Sequence, residues 1–303
     1  MQHLIGVFLI LISGISFGAA AIFARFAYKA GTDPITLLFL RFGIASICMI
    51  FMMLIRRLPL PRGQIFFGLA LMGALGYVGQ SFCYFTALTL ISAGLVALLL
   101  YSYPAILTLL AIIILKEPIS KRKVLALALA LIGTILTIGP IGGGRPLGII
   151  LALGGAFIYS IYILVGSKIT RPGTATQCST VIITSAAVVF AGMITVRGAS
   201  FPTTFLGWSS ATALALISTV LAIVTFLAGL ERVGPINAAT LSTIEPVVTV
   251  ILAVLILGET LTLLRIVGGL MIILAVIILA RSEVPPARMK IIETKQARQT
   301  SRR

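Results

Sequence analysis

Long apolar runs, broken by short polar or Pro/Gly-containing connectors, recur along this chain from end to end. They fall near residues 4–24, 35–55, 64–87, 92–115, 122–139, 147–167, 177–196, 208–229, 236–257 and 262–280. Each approaches the roughly 20 apolar residues that a helix needs to cross a bilayer core. The pattern predicts an all-α membrane protein with about ten transmembrane helices, whose backbones are satisfied within each helix. The connectors include Arg56-Arg57-Leu58-Pro59, Lys116-Glu117-Pro118, Gly139-Pro140, Gly142-Gly143-Gly144, Arg171-Pro172-Gly173 and Gly234-Pro235. Connections this short make helix hairpins of neighbouring spans. The first segment has no Lys or Arg before it, so it reads as a retained helix and not as a cleaved signal.

The chain also matches itself at an offset of 142 residues. Gly31-Thr32 falls on Gly173-Thr174, Leu88 on Leu230, Pro104 on Pro246, Glu117 on Glu259, Lys123 on Arg265, and Phe17-Gly18 on Tyr159-Ser160. Apolar matches carry little weight in a membrane protein, but the Pro and Glu pairs hold one ungapped register. Each half contains about five spans. An odd number makes the second half enter from the opposite face, so two inverted five-helix repeats are expected, at 4–139 and 147–280, with a tail at 281–303.

Composition agrees with lipid as the main solvent: 59% of residues are hydrophobic, 10% are charged, and mean hydropathy is +1.18. Soluble domains are about a quarter charged. The net charge of +16 would suggest nucleic acid in a soluble chain. Here the basic residues sit in connectors and the tail, so no nucleic-acid partner is expected. With the N-terminus inside, seventeen Lys and Arg fall on the inner side and five on the outer, with Arg41 inside a span. This bias predicts a bacterial-type plasma (inner) membrane protein with both termini cytoplasmic. The tail, basic and opened by Pro285-Pro286, is expected to lie along the anionic leaflet.

Cys48, Cys83 and Cys178 form no CxxC pair, and His3 is the sole histidine. Neither a disulfide framework nor a metal site is indicated, and no cofactor is expected. With Asp33 as the sole aspartate, in a connector, a membrane-embedded enzyme lacks its usual constellations.

Several features could carry function. Pro104 and Pro246 sit near mid-span in matching helices, where each removes a backbone hydrogen bond and kinks its helix. Paired interruptions of this kind point to a midplane binding site, although Pro also simply shapes packing. Glu245 lies about 13 Å into its span, near the centre of a core about 30 Å thick. A carboxylate there must be paired, solvated or protonated. It would bind a substrate amine or a coupling proton, or else stabilise the adjacent kink. Tyr77, Gln80, Ser81 and Tyr84 share one helical face, and Ser218, Thr225 and Gly229 lie on its repeat counterpart. With Tyr103, Tyr159, Tyr162, Asn237, Ser242 and Thr249 they make a plausible cavity lining, or ordinary interhelical contacts. Arg41, near the outer face, is expected to snorkel outward, or else to pair with a carboxylate or attract anionic solutes. Glu117 and Glu259 end matching helices and read as helix-end or gate residues partnered by Lys116 and Lys121 or by Arg265. Gly14, Gly18 and Ala21, and Gly68, Gly73 and Gly76, would permit close helix approach.

The order of Leu40-Arg41-Phe42, Tyr101-Ser102-Tyr103-Pro104, Leu115-Lys116-Glu117, Glu245-Pro246-Val247 and Leu257-Gly258-Glu259 resembles the drug/metabolite transporter superfamily, specifically EamA-type permeases. The resemblance spans about residues 4 to 280. It implies a ten-helix carrier with a central cavity and a small-molecule substrate. Phe17 and Tyr159 stand where that family often has Trp.

The leading expectation is a secondary transporter, an exporter of small amphipathic metabolites such as amino acids, working by alternating access. No Walker motif indicates ATP drive within the chain. The alternatives are a flippase for a lipid-linked headgroup and a non-transporting membrane scaffold.

Overall fold

The computed structural model describes residues 2–116, 119–138, 145–169 and 175–282. The readings of Glu117, of the connectors at 139–144 and 171–173, and of the tail beyond Ser282 lie outside the described residues. Ten long helical segments follow in order: α1 Gln2–Lys29, α2 Pro34–Ile55, α3 Gln64–Leu90 and α4 Ala93–Leu115; α5 Lys121–Ile138 and α6 Pro146–Ile169; α7 Ala175–Arg197, α8 Phe205–Val233 and α9 Ile236–Leu257; and α10 Leu263–Ser282. Among the described residues, nine are long and apolar enough to cross a membrane. The other, α5, opens with Lys121, Arg122 and Lys123, so the predicted count of about ten rests on its packing rather than on its composition.

Local chemistry sets the helix ends. Asp33 caps α2 by accepting from the N–H groups of Ile35 (2.9 Å) and Thr36 (3.2 Å), with Pro34 in the first turn. Thr204 caps α8 by accepting from Gly207 N–H at 3.2 Å. Lys116 and Gly258 end α4 and α9 in the left-handed region, at φ 54° and 69°. They stand 142 residues apart, so the repeat register extends to backbone conformation.

Packing follows the same register. α1 lies against α8 and α9, and their counterparts α6, α3 and α4 make the equivalent contacts. The self-matched pairs α2·α7 and α5·α10 complete the set. The chain is therefore built of two repeated helical units that interlock, with each unit's first helix packed against the third and fourth helices of the other unit. The N-terminus of α1 and the C-termini of the even-numbered helices form one end of the bundle, here the N-terminal end. The C-termini of the odd-numbered helices form the opposite end.

Small residues set the close approaches. A Cβ on Gly18 would meet the Glu245 carbonyl and Val248, and one on Gly73 would meet the backbone of Ile182. Gly6 and Gly229 face each other across α1 and α8. Between α5 and α10, Gly268 lies against the Gly133 carbonyl and Thr137, beside an apolar cluster of Ala126, Ala130, Ala275 and Leu279. Without a hydrophobic effect between helices in lipid, such backbone proximity carries the association.

That seam gives a direct test. Gly268→Leu is expected to lower stability by about 1–3 kcal/mol through overpacking. The readout is the thermal midpoint of the detergent-solubilised chain. An unchanged midpoint would mean that α5 and α10 do not pack at Gly268.

Candidate functional site

Three helices are interrupted near mid-span, two of them beside a proline. α4 breaks at Tyr101-Ser102, between helices Ala93–Leu100 and Tyr103–Leu115, because Pro104 lacks the N–H that would continue the first helix. α9 breaks at Thr243, ahead of Pro246 in the first turn of Ile244–Leu257. α1 breaks at Ala19. In addition, α3 and α8 carry six-residue π-helical segments, Met72–Tyr77 and Leu216–Leu221. Such widened turns are frequent at functional sites.

Side-chain hydroxyls gather at these breaks. Ser102 Oγ donates to the Leu99 carbonyl at 2.7 Å and Thr243 Oγ1 to the Thr240 carbonyl at 2.7 Å. Two contacts cross between the units: Ser160 Oγ lies 2.9 Å from the Tyr103 carbonyl and 2.8 Å from that of Ala156 in its own helix, and Tyr101 Oη lies 2.9 Å from the Ser242 carbonyl. The same Tyr101 hydroxyl lies 2.8 Å from Glu245 Oε2. The break in the first unit thereby supplies a hydrogen-bond partner for the carboxyl in the second.

Between the units lies a cavity of about 510 Å³. Tyr77, Tyr103, Tyr159, Tyr162, Ser242, Glu245 and Pro104 all line it. Its lining reaches Leu230, Leu279 and Ala280, within a turn of the C-termini of α8 and α10, so it extends toward the N-terminal end. A second chamber of about 140 Å³ shares Phe17, Tyr77, Tyr101, Tyr103, Tyr159 and Glu245 with the first. It continues the other way to Gln80, Tyr84 and Arg41. A file of rings, of which Tyr77, Tyr159, Tyr103 and Tyr101 line both chambers, runs through this region. It runs from Phe190 to Phe42 (5.7 Å between centroids), Tyr77 (5.2 Å), Tyr162 (5.9 Å), Tyr159 (5.9 Å), Tyr103 (4.7 Å) and Tyr101 (5.8 Å). Aromatic walls with a few polar tips suit an amphipathic ligand.

Several residues sit otherwise than expected. Arg41 does not snorkel: it is 6% exposed, and its Nε donates to Thr219 Oγ1 at 2.8 Å. Its guanidinium lies 4.9 Å and 5.0 Å from the ring centres of Phe42 and Phe85. An inward cation is stabilised there by ring faces and by a hydroxyl that the π-turn of α8 presents. Asn237 lines neither chamber, since its Nδ2 donates to the Val233 carbonyl at 2.9 Å within its own helix. Ser81, Thr225 and Thr249 are likewise engaged in packing, Thr249 Oγ1 donating to the Gly18 carbonyl at 2.9 Å. Pro246 is buried at the kink and outside both linings. Among the lining residues left out of the sequence-based set are Tyr101 and Phe17; the position of Tyr101 just before a kink proline was the available signal.

The opposite end is closed by polar contacts. Glu259 does not pair with Arg265. Its carboxyl accepts from Ala93 N–H (2.6 Å) and Gly94 N–H (3.1 Å), capping α4 of the other unit, and stands 4.0 Å from Arg25. Arg25 also donates to the Ile91 carbonyl at 2.6 Å. Thr203 N–H and Oγ1 both reach the Ala30 carbonyl at 3.0 Å. Asp33 accepts from Ser200 N–H at 3.3 Å and from the Thr36 hydroxyl. Partial burial pushes the Asp33 carboxyl up. The hydrogen bonds from Thr36, Ile35 and Ser200 outweigh that and hold its pKa below the ordinary carboxylate value. Among the described residues no group of His, Cys, Asp and Glu could hold a metal ion.

Comparison with known proteins agrees with this architecture. The sequence model of the EamA-like transporter family matches residues 4–139 and 146–281, one match per unit. The chain is 25% identical over 291 residues to the uncharacterized transporter YyaM of Bacillus subtilis (strain 168), covering 91% of this chain and 94% of that protein. It is 24% identical over 282 residues to YcbK of the same organism, also an uncharacterized transporter, covering 87% and 88%. An uncharacterized transporter of Archaeoglobus fulgidus is 26% identical over 273 residues, covering 89% and 94%. A solved crystal structure superposes with a TM-score of 0.65 at 19% identity, covering 91% of this chain and 97% of the other; it shares the fold.

The depressed Asp33 pKa fixes the sign of a pH effect. The folded carboxylate contributes stability above its unfolded pKa, and this is lost as pH falls through the folded value. Wild type is expected to lose thermal stability more steeply than Asp33→Asn as pH drops below about 4. Parallel melting curves for the two proteins between neutral pH and pH 3 would refute the assignment.

Proposed function

The chain belongs to the EamA-like transporter family, and on that premise we propose that it is a secondary carrier that exports small amphipathic metabolites. It is a multi-pass membrane protein related along nearly its whole length to transporters. Amino acids are the size and chemistry class we assign to its cargo.

The observation that carries the reading is the placement of Glu245. A carboxyl at mid-span is costly in hydrocarbon. Here it faces a cavity between the two units, with tyrosines on the walls and a single hydroxyl bonded to it. A packing role for the carboxyl would need neither the cavity nor the ring of aromatic side chains.

The reading continues to mechanism. The wider chamber extends to the N-terminal end, whereas the opposite end is held by Glu259, Arg25 and Asp33. This arrangement supports a carrier accessible from one face, alternating with a state in which those contacts part. Rocking would use the glycine approaches of α1 on α8 and α9, where backbones slide without side chains to repack. We place the protein in the plasma membrane with both termini cytoplasmic, on the strength of the bias in basic residues, and read the two units as inverted relative to each other. The wider chamber would then receive its cargo from the cytoplasm, the direction an exporter requires.

In proteoliposomes, Glu245→Gln is expected to slow transport about ten-fold or more by removing a desolvated charge from the cargo site. Wild-type rates across pH would sink the role assigned to this carboxyl. The cargo is found by solute-resolved export from expressing cells against a null strain.

The inverted arrangement has its own check. With the native cysteines replaced, single cysteines at Lys116 and Arg265 are expected to label from opposite faces of the membrane. Labelling of both from the same side would refute the inversion.

A further inference from the structure

The smaller chamber contains a feature that carriage alone does not require. Two ionisable side chains of opposite sign, Arg41 and Glu245, line the same space of about 140 Å³. They are not in contact with each other: among the described residues the ion pair within 4.0 Å is Arg25–Glu259. Each is instead held by a neutral group. Arg41 Nε donates to Thr219 Oγ1, which donates in turn to the Leu214 carbonyl at 3.0 Å. Glu245 accepts from Tyr101 Oη at 2.8 Å.

These two residues also break the pseudo-symmetry of the fold. In the 142-residue register Arg41 corresponds to Ile183 and Glu245 to Tyr103. Ile183 is 1% exposed and packs in the main apolar core. The equivalent positions in the other unit, Ile183 and Tyr103, thus carry no charge, so the fold itself does not demand these two. Burying separate unpaired charges is expensive, and the cost falls when a partner of opposite sign reaches each.

We propose that the smaller chamber binds a small zwitterion, with Arg41 holding its anionic group and Glu245 its cationic group. The proposal rests on the carrier reading above and adds the charge signature that the cargo must have, with Arg41 as a specificity-determining residue. Gln80 and Tyr84 supply neutral hydrogen-bonding groups in the same chamber. The wider chamber, lined by Leu107, Ile163, Ile223 and Phe226, receives an apolar side chain. A ligand with one charge leaves the other protein charge unsatisfied. A site built this way rejects the incomplete analogue more strongly than it rejects a missing methylene.

The experiment is calorimetric titration of the full chain in lipid nanodiscs. Alanine, leucine and phenylalanine are each compared with the amine and the carboxylic acid that carry the same side chain. At least one of the three amino acids is expected to bind ten-fold or more tighter than both of its single-charge analogues. Arg41→Gln should bring that amino acid down to the level of its amine while leaving the amine unchanged, and Glu245→Gln should bring it down to the level of the acid. Arg41→Lys, which keeps the charge, should retain the preference. The wild-type comparison needs no variant, so it stands even if a substitution prevents folding. Equal affinity for the analogues, no binding by any of the three amino acids, or a preference that survives Arg41→Gln overturns the proposal. A chain that exports an amine or an uncharged solute yet fails this panel keeps the carrier reading and loses this one.

Discussion

The structure depends on one constraint: backbone polar groups at membrane depth must find partners inside the protein. Pro104 and Pro246 violate the regular helix in matching places, and the chain answers by breaking α4 and α9. Hydroxyls of Ser102 and Thr243 bond carbonyls beside the breaks, and those of Ser160 and Tyr101 reach across from one unit to the carbonyls of Tyr103 and Ser242 in the other. Bonds beside the breaks therefore join the two units at mid-depth. They also fix Tyr101 where its hydroxyl meets Glu245, so satisfaction of the backbone and construction of the cavity are one event.

Around that centre the molecule divides its polar chemistry by depth. The opposite end carries conventional helix-end chemistry: Glu259 and Asp33 cap helices and tie connectors together, with Arg25 alongside. The middle carries few polar groups, set among stacked and edge-on aromatic rings; Ser218 Oγ, in the π-turn of α8, is buried there without a hydrogen-bond partner. Glycines at Gly18, Gly73 and Gly229 bring helix backbones together beside this region. Contacts of that kind hold by dispersion over a smooth surface and can slip without unpacking large side chains. The cavity between the units is thus bounded by such seams, with polar contacts gathered at one end.

Much of the fold was legible in the linear pattern. The apolar runs located the helices, because span length and lipid solvation act on each segment independently of the rest. The 142-residue offset located the two units, since Pro104 with Pro246 and Lys116 with Gly258 mark equivalent backbone features. Tyr77, Tyr103, Tyr159, Tyr162 and Glu245 could be picked out because polar groups within a span have few places to go besides the interior.

Other features could not be read that way. The inward turn of Arg41 depends on Thr219, 178 positions away and presented by a π-turn that periodicity does not signal. Glu259 stands close to Arg265 in sequence, yet its partners are Ala93, Gly94 and Arg25 across the bundle. Asn237 lay in the expected polar set, but its amide is used by its own helix. By itself the sequence determined that the chain is helical, lipid-embedded and doubled, because those properties follow from composition and local period. Which polar side chains meet, and around what space, was decided by the crossing of helices far apart in the chain. That crossing is set by glycine contacts and kinks whose partners lie in the other unit.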